Sequence, residues 1–249
     1  MRIGGGIEKP YSNPEEWYEL VKELGYRAVL APIDYRASKE EKQTYLQCVQ
    51  EHDLVIGEVG VWKNVISIDD NERKEAMEFC KNQLELADEL GANCCVNITG
   101  SRGEIWDGFY KENYSKDTYT LVVDSIREII DSVKPKRTFY TIETMPWMVN
   151  CPKRYLFCDE FIEECFTKLG PYIKSIHGKD VIMEYAYTTI IRETMPGKGI
   201  INYQKVARLC ESLGADTTLF VEHLPDFESY KKAAAYVREQ AALAGVKTD

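Results

Sequence analysis

No stretch of the chain approaches the ~18 consecutive apolar residues that a bilayer-spanning helix needs, and Met1-Arg2-Ile3-Gly4-Gly5-Gly6 lacks the apolar core of a secretory signal. The expectation is a soluble, cytoplasmic protein with no membrane partner. Basic residues are outnumbered, 31 Lys and Arg against 41 Asp and Glu, for a net charge of −10. That balance argues against nucleic acid as a partner, because such affinity rests on phosphate neutralisation. None of the eight cysteines forms a C-x-x-C pair, which removes zinc-ribbon and thioredoxin-type readings. Without a signal peptide, they are expected to be reduced, buried small hydrophobes. Gly4-Gly5-Gly6 lacks the G-x-G-x-x-G spacing of a dinucleotide loop. No Ser/Gly tract divides the sequence, so residues 1–249 are expected to form a single domain.

What is present is alternation. Short apolar runs read as strands at Arg2–Ile7, Ala28–Ile33, Leu54–Val61, Cys94–Thr99, Thr138–Met145, Ile173–Val181 and Thr218–Leu224. Between them, apolar residues recur every three or four positions and predict helices at Pro14–Leu24, Asn71–Leu90, Tyr119–Val133, Asp159–Leu169, Tyr203–Leu213 and Ser229–Ala244. In the first, Trp17, Leu20, Val21 and Leu24 share a face. Glycine follows several of these helices, as a left-handed C-cap would require. Seven such units on 249 residues predict an α/β fold of the (β/α) TIM-barrel type. One unit short of eight, the chain has room between Met145 and Ile173 for one helix and no full strand. Arg154–Phe157 is the only filler there.

In a barrel, chemistry gathers at the C-terminal ends of the strands. Glu143 and Glu222 lie at such ends inside apolar runs, where an unpaired carboxylate costs several kcal/mol, and His177 lies near the end of the strand before the last. Two carboxylates and an imidazole at one mouth suit a divalent metal. Each alone also has a structural reading, as a salt-bridge partner or a hydrogen-bonded core residue. Strand alternation turns His223 away from Glu222, and separates Asp180 from His177 while placing Lys179 on the His177 side.

The set I-x-E-x-G-x-W (Ile56 to Trp62), G-A-N-C-C-V-N-I-T-G-S (Gly91 to Ser101), I-E-T-M-P (Ile142 to Pro146), H-G-K-D (His177 to Asp180), P-G-K-G (Pro196 to Gly199) and V-E-H (Val221 to His223) resembles the xylose isomerase-like superfamily of sugar isomerases and epimerases. The resemblance implies a Mn2+, Mg2+, Co2+ or Zn2+ ion held at the ends of strands five to eight, with Glu143, His177 and Glu222 in the first, third and fourth places. The second place, an Asp in a motif like F-D-P-x-N, has no counterpart; about one βα unit is missing between Trp147 and Asn150. Asn202 stands where the family often has Asp.

The implied reaction is metal-dependent isomerisation or epimerisation of a small sugar, with Glu143 and Glu222 moving a proton beside the carbonyl through a metal-stabilised enediolate. Glu58, Trp62 and Asn97 share the inward parity of their strands and would line the substrate pocket with Lys179 and Arg192. Packing or solvation explains each of these five equally well. Other readings are an inosose-type dehydratase, an apurinic endonuclease (disfavoured by only three histidines and the negative charge), or a non-catalytic relative that binds or oligomerises through an open strand edge.

Overall fold

The computed structural model describes residues 1–144, 152–185 and 189–248. The chain begins with β1 (Arg2–Gly5), α1 (Pro14–Leu24), β2 (Ala28–Leu30), α2 (Lys39–Glu51), β3 (Val55–Gly60), α3 (Asp70–Leu90), β4 (Cys94–Ile98) and α4 (Lys116–Val133). It continues with β5 (Tyr140–Glu143), α5 (Pro152–Leu156), α6 (Cys158–Leu169), β6 (Ser175–Gly178), β7 (Asp180–Tyr185) and β8 (Thr189–Thr194). The last elements are α7 (Tyr203–Leu213), β9 (Thr218–Val221) and α8 (Phe227–Leu243). Seven strands lie in two parallel sheets, in the orders β1-β9-β6 and β2-β3-β4-β5. β5 and β6 are each the terminal strand of their sheet.

The chain divides into two compact units. The first holds Met1–Leu30, Lys39–Gly57 and Cys151–Asp249, and the second Ala31–Ser38 and Glu58–Asn150. In the first, α1 is started by Asn13, whose side chain accepts from the Glu16 amide at 2.8 Å, and is ended by Gly25 at φ +69°. Its Trp17, Val21 and Leu24 are buried, while Leu20 is half-buried. The glycines of β1 have a packing reason: a Cβ at Gly4 would meet Ala28 O at 2.4 Å and the Phe220 ring at 2.5 Å. Only a bare backbone lets that ring fill the space. In the second unit, the inner faces of α3 and α4 bury Cys80, Leu84, Leu86 and Ile129 beside Val59, Cys94 and Cys95.

Several elements depart from the sequence expectations. The run Ile173–Val181 is two strands: β6 stops at Gly178, and β7 starts an antiparallel hairpin with β8 in which Asp180 pairs with Thr194. Alternation along an apolar run cannot reveal where the chain leaves a sheet. α2 escaped detection because its face is mostly charged, with only Tyr45 and Val49 buried. Between β5 and β6 the described residues hold two helices, not one, and no strand; Arg154–Leu156 belong to α5. The proposed excision point, Trp147 to Asn150, lies outside the described residues. The left-handed glycine cap holds at Gly25 and Gly91 but not at Gly170, whose φ is −43° because the chain runs directly into a short 3-10 turn.

Seven cysteines are free thiols; Cys80, Cys94, Cys95 and Cys210 are buried, whereas Cys48, Cys158 and Cys165 are only half-buried. Cys151 lies outside the described residues. No helix among the described residues is long and apolar enough to cross a membrane.

Candidate active site

In the first unit, β6 and β9 run side by side with His177 opposite Phe220 and Gly178 opposite Val221. Extending that register sets Lys179 beside Glu222, just past the end of β9. The side chains meet: His177 Nδ1 lies 3.1 Å from Glu222 Oε2, and Lys179 Nζ lies 2.5 Å from Glu222 Oε1. The Glu222 side chain is only 18% exposed. Burial alone would raise its pKa, but His177 and Lys179 outweigh that and bring the carboxyl down to about 2. A carboxylate, an imidazole and an ammonium thus share one half-buried spot.

The network extends further than alternation allows. β9 ends at Val221, and His223 sits beyond it at φ +56°. The left-handed turn releases His223 from strand parity, and it meets the network through Glu193 and not through Glu222. His223 Nδ1 lies 2.7 Å from Glu193 Oε2, and Glu193 Oε1 lies 3.6 Å from Lys179 Nζ. The His223 contact lowers the Glu193 pKa, and Glu193 raises that of His223. Glu193, on β8, was not singled out in the sequence. Its one signal was a repeated Glu-Thr-Met-Pro, at residues 143–146 and again at 193–196. Arg192, its neighbour, pairs across the hairpin with Glu184 at 2.8 Å.

Asp180 is fully buried, yet it is a clamp and not part of this network. Its carboxylate accepts from the amides of Val181, Gly197, Gly199 and Ile201 at 2.9 to 3.1 Å. The P-G-K-G segment is therefore wound around one carboxylate. The Lys179 carbonyl accepts from the Tyr203 hydroxyl at 3.0 Å, which fixes the backbone that carries Lys179. A separate cleft of 370 Å³, lined by Pro14, Tyr18, Cys48 and His52 among others, contains none of the candidate residues.

In the second unit, Glu143 is the last residue of β5, half-buried, in register with Ile98 at the end of β4. Glu58 on β3 and Asn97 on β4 are buried at 1% and 0% exposure. The Asn97 amide is fully engaged: Oδ1 accepts from Lys63 N at 2.9 Å, and Nδ2 donates to Lys63 O and Tyr140 OH. It fixes the segment after β3. Trp62 lies in that segment at φ +52°, two residues beyond the strand, so strand parity does not govern it. Its indole folds back over Gly60, where a Cβ would meet Nε1 at 2.6 Å.

Each unit thus presents candidate residues at the C-terminal ends of parallel strands. A family model described as "Xylose isomerase-like TIM barrel" matches residues 18–164. Comparison with curated proteins returns no match. Among solved structures, the chain is similar to a D-psicose 3-epimerase with D-tagatose from Clostridium cellulolyticum H10, at 14% identity and TM-score 0.67 over 99% of this chain and 100% of that one. It is also similar to a 3-keto-D-glucoside 4-epimerase from E. coli, at 13% identity and TM-score 0.66 over 96% and 99%. A third is a xylose isomerase-like TIM barrel protein from Mycobacterium smegmatis in complex with magnesium, at 14% identity and TM-score 0.63 over 94% and 90%. At such identities the likeness establishes the α/β TIM-barrel-type fold. With the family model spanning more than half of its residues, the chain belongs to the xylose isomerase-like TIM barrel family.

Proposed function

We propose that residues 1–249 act as one cytoplasmic, divalent-metal-dependent isomerase or epimerase of a small sugar. The observation that carries this reading is the half-buried contact of Glu222 with His177 and Lys179 at the strand ends. A neutral imidazole with carboxylate oxygens is a donor set that fits Mn2+ or Mg2+, and Co2+ or Zn2+ next. His177 and Glu222 would hold the ion together with Glu143, because the TIM-barrel fold gathers strand ends at one face. When bound, such an ion polarises a carbonyl oxygen.

The protein's own groups supply the rest. Glu143 and Glu222 flank the reacting carbon, one removing its proton and the other returning one. Lys179 donates to a sugar oxygen while balancing the charge of Glu222. Glu58 and Trp62 line the substrate site, Asn97 positions the segment carrying Trp62, and Arg192 contacts the substrate's far end. The epimerase names among the structural neighbours support the reaction class.

The test is metal content. Protein purified without chelators is expected to carry about one divalent ion per chain, and Glu222→Gln to lose most of its affinity for added Mn2+. Absence of ion and of Mn2+ binding in the wild type overturns the reading. One observation favours a second reading, a binding protein without turnover: the sequence from Met145 to Cys158 contains no carboxylate to serve as the family's second ligand. Ion binding without turnover on any ketose would select it.

A further inference from the structure

Within the first unit, Lys179 is in ion-pair reach of two carboxylates. Its Nζ lies 2.5 Å from Glu222 Oε1 and 3.6 Å from Glu193 Oε1. The tighter contact falls on the carboxylate that the proposed metal requires. The other oxygen of Glu222, Oε2, lies 3.1 Å from His177 Nδ1. That is close to the ~3 Å that two neighbouring ligand atoms keep around one ion at ~2.1 Å. So the pair is spaced for an ion while an ammonium is seated on one of its members. A divalent cation at Oε2 draws on the charge of the same carboxylate and repels the ammonium beside it. In a half-buried place water screens that repulsion poorly. The hold of Glu222 on Lys179 therefore weakens as an ion binds, and the balance of the lysine tips toward Glu193.

The surroundings are built for that shift. The backbone on both sides is fixed: the Lys179 carbonyl accepts from Tyr203 OH, and Glu193 pairs with Val181 across the hairpin of β7 and β8. The Glu193 side chain is held as well, because His223 Nδ1 lies 2.7 Å from its Oε2 while Oε1 faces Lys179. Arg192, the adjacent cation, is engaged with Glu184 and does not take that oxygen. Closing the remaining gap to an ordinary ion-pair distance of ~2.8 Å needs only a small adjustment along a flexible four-carbon stem.

We propose that Glu193, anchored by His223, is a positioning residue: a second seat that takes Lys179 when a divalent ion takes Glu222. The inference rests on the metal reading above and adds how the site admits its ion. The ion pair of Glu222 with Lys179 is exchanged for one of Glu193 with Lys179. No covalent bond changes, and no proton moves.

The experiment is a double-substitution cycle read by calorimetric titration of Mn2+ into the full-length protein. Glu193→Gln keeps the shape of the seat and removes its charge, and is expected to weaken Mn2+ binding about tenfold. Lys179→Met removes the competing ammonium and should tighten binding at least about threefold. In the Lys179→Met background, Glu193→Gln should change the affinity by less than about twofold, because no lysine is left to seat. His223→Asn approaches the seat from its other side and keeps a residue type that tolerates the left-handed turn. It should lose about threefold in Mn2+ affinity, again only while Lys179 is present. Melting midpoints close to that of the wild type would show that each variant is folded. A loss of the same size with and without Lys179 overturns the seat, since the plain removal of a negative charge acts in both backgrounds. So does unchanged affinity in Glu193→Gln; in both cases the metal reading stands. Absence of Mn2+ binding in the wild type and in Lys179→Met overturns the metal reading and the seat with it.

Discussion

The strand ends of the two units differ in kind. At the end of β6 and β9, five side chains, His177, Glu222, Lys179, Glu193 and His223, form a connected run of charged and titratable contacts. At the end of β3 and β4, the corresponding positions are an amide locked to backbone, an indole folded onto glycine, and a loop of exposed aromatics. Ion pairs that are partly exposed add little stability, whereas a buried, fully engaged amide is costly to remove. On the function proposed above, this difference becomes a division of labour: the first unit would supply the charged groups for chemistry, and the second would add Glu143 to the acid–base set.

The strongest way to break that division is to remove a charge on the chemical side. Glu222→Gln is expected to lower turnover at least ~100-fold, the usual scale for an acid–base group, measured on whichever ketose the wild type converts. A variant within tenfold of wild type would return Glu222 to a structural role. Stability gives the next contrast. Asn97→Ala removes the partner of the Lys63 N–H and C=O and leaves a buried gap, and should cost roughly 1–3 kcal/mol, lowering the melting midpoint by roughly 3–10 °C. Glu193→Gln should cost under ~1 kcal/mol, and calorimetric midpoints of similar size for the two variants would erase the distinction. The last effect is one on which the two units should agree. Burial pushes the Cys80 thiol up to about 11 and the Cys210 thiol up to about 12. Both exceed the unfolded value near 9, so this contribution is fully present below pH ~9 and is lost as pH rises toward 11–12, because the unfolded chain releases its protons first. Thermal melts from pH 7 to pH 11 should show a decline that is reduced in Cys80→Ala and in Cys210→Ala alike.

Much of the fold was legible because buried parallel strands read as apolar runs, and the runs reaching Glu143 and Glu222 marked the strand ends where the candidate residues lie. Periodicity fails at strand ends, and the errors fall there. Trp62 and His223 both adopt positive φ just beyond their strands, so their directions come from a turn and not from alternation. Ile173–Val181 reads as one strand, since nothing in its hydrophobicity records that the chain changes partner at Lys179. Glu193 was invisible for a related reason: only the hairpin brings β8 back to the end of β6. The helix α2 was missed because a mostly solvated helix has no apolar stripe to detect.

The clamp at Asp180 has a consequence for how this protein can vary. Its carboxylate grips amides at both the start of β7 and the segment that follows β8, so the hairpin between them is closed at its base like a loop of string held at one knot. Replacing that carboxylate, as in Asp180→Ala, would release both ends of the hairpin at once, and with them the backbone next to Lys179.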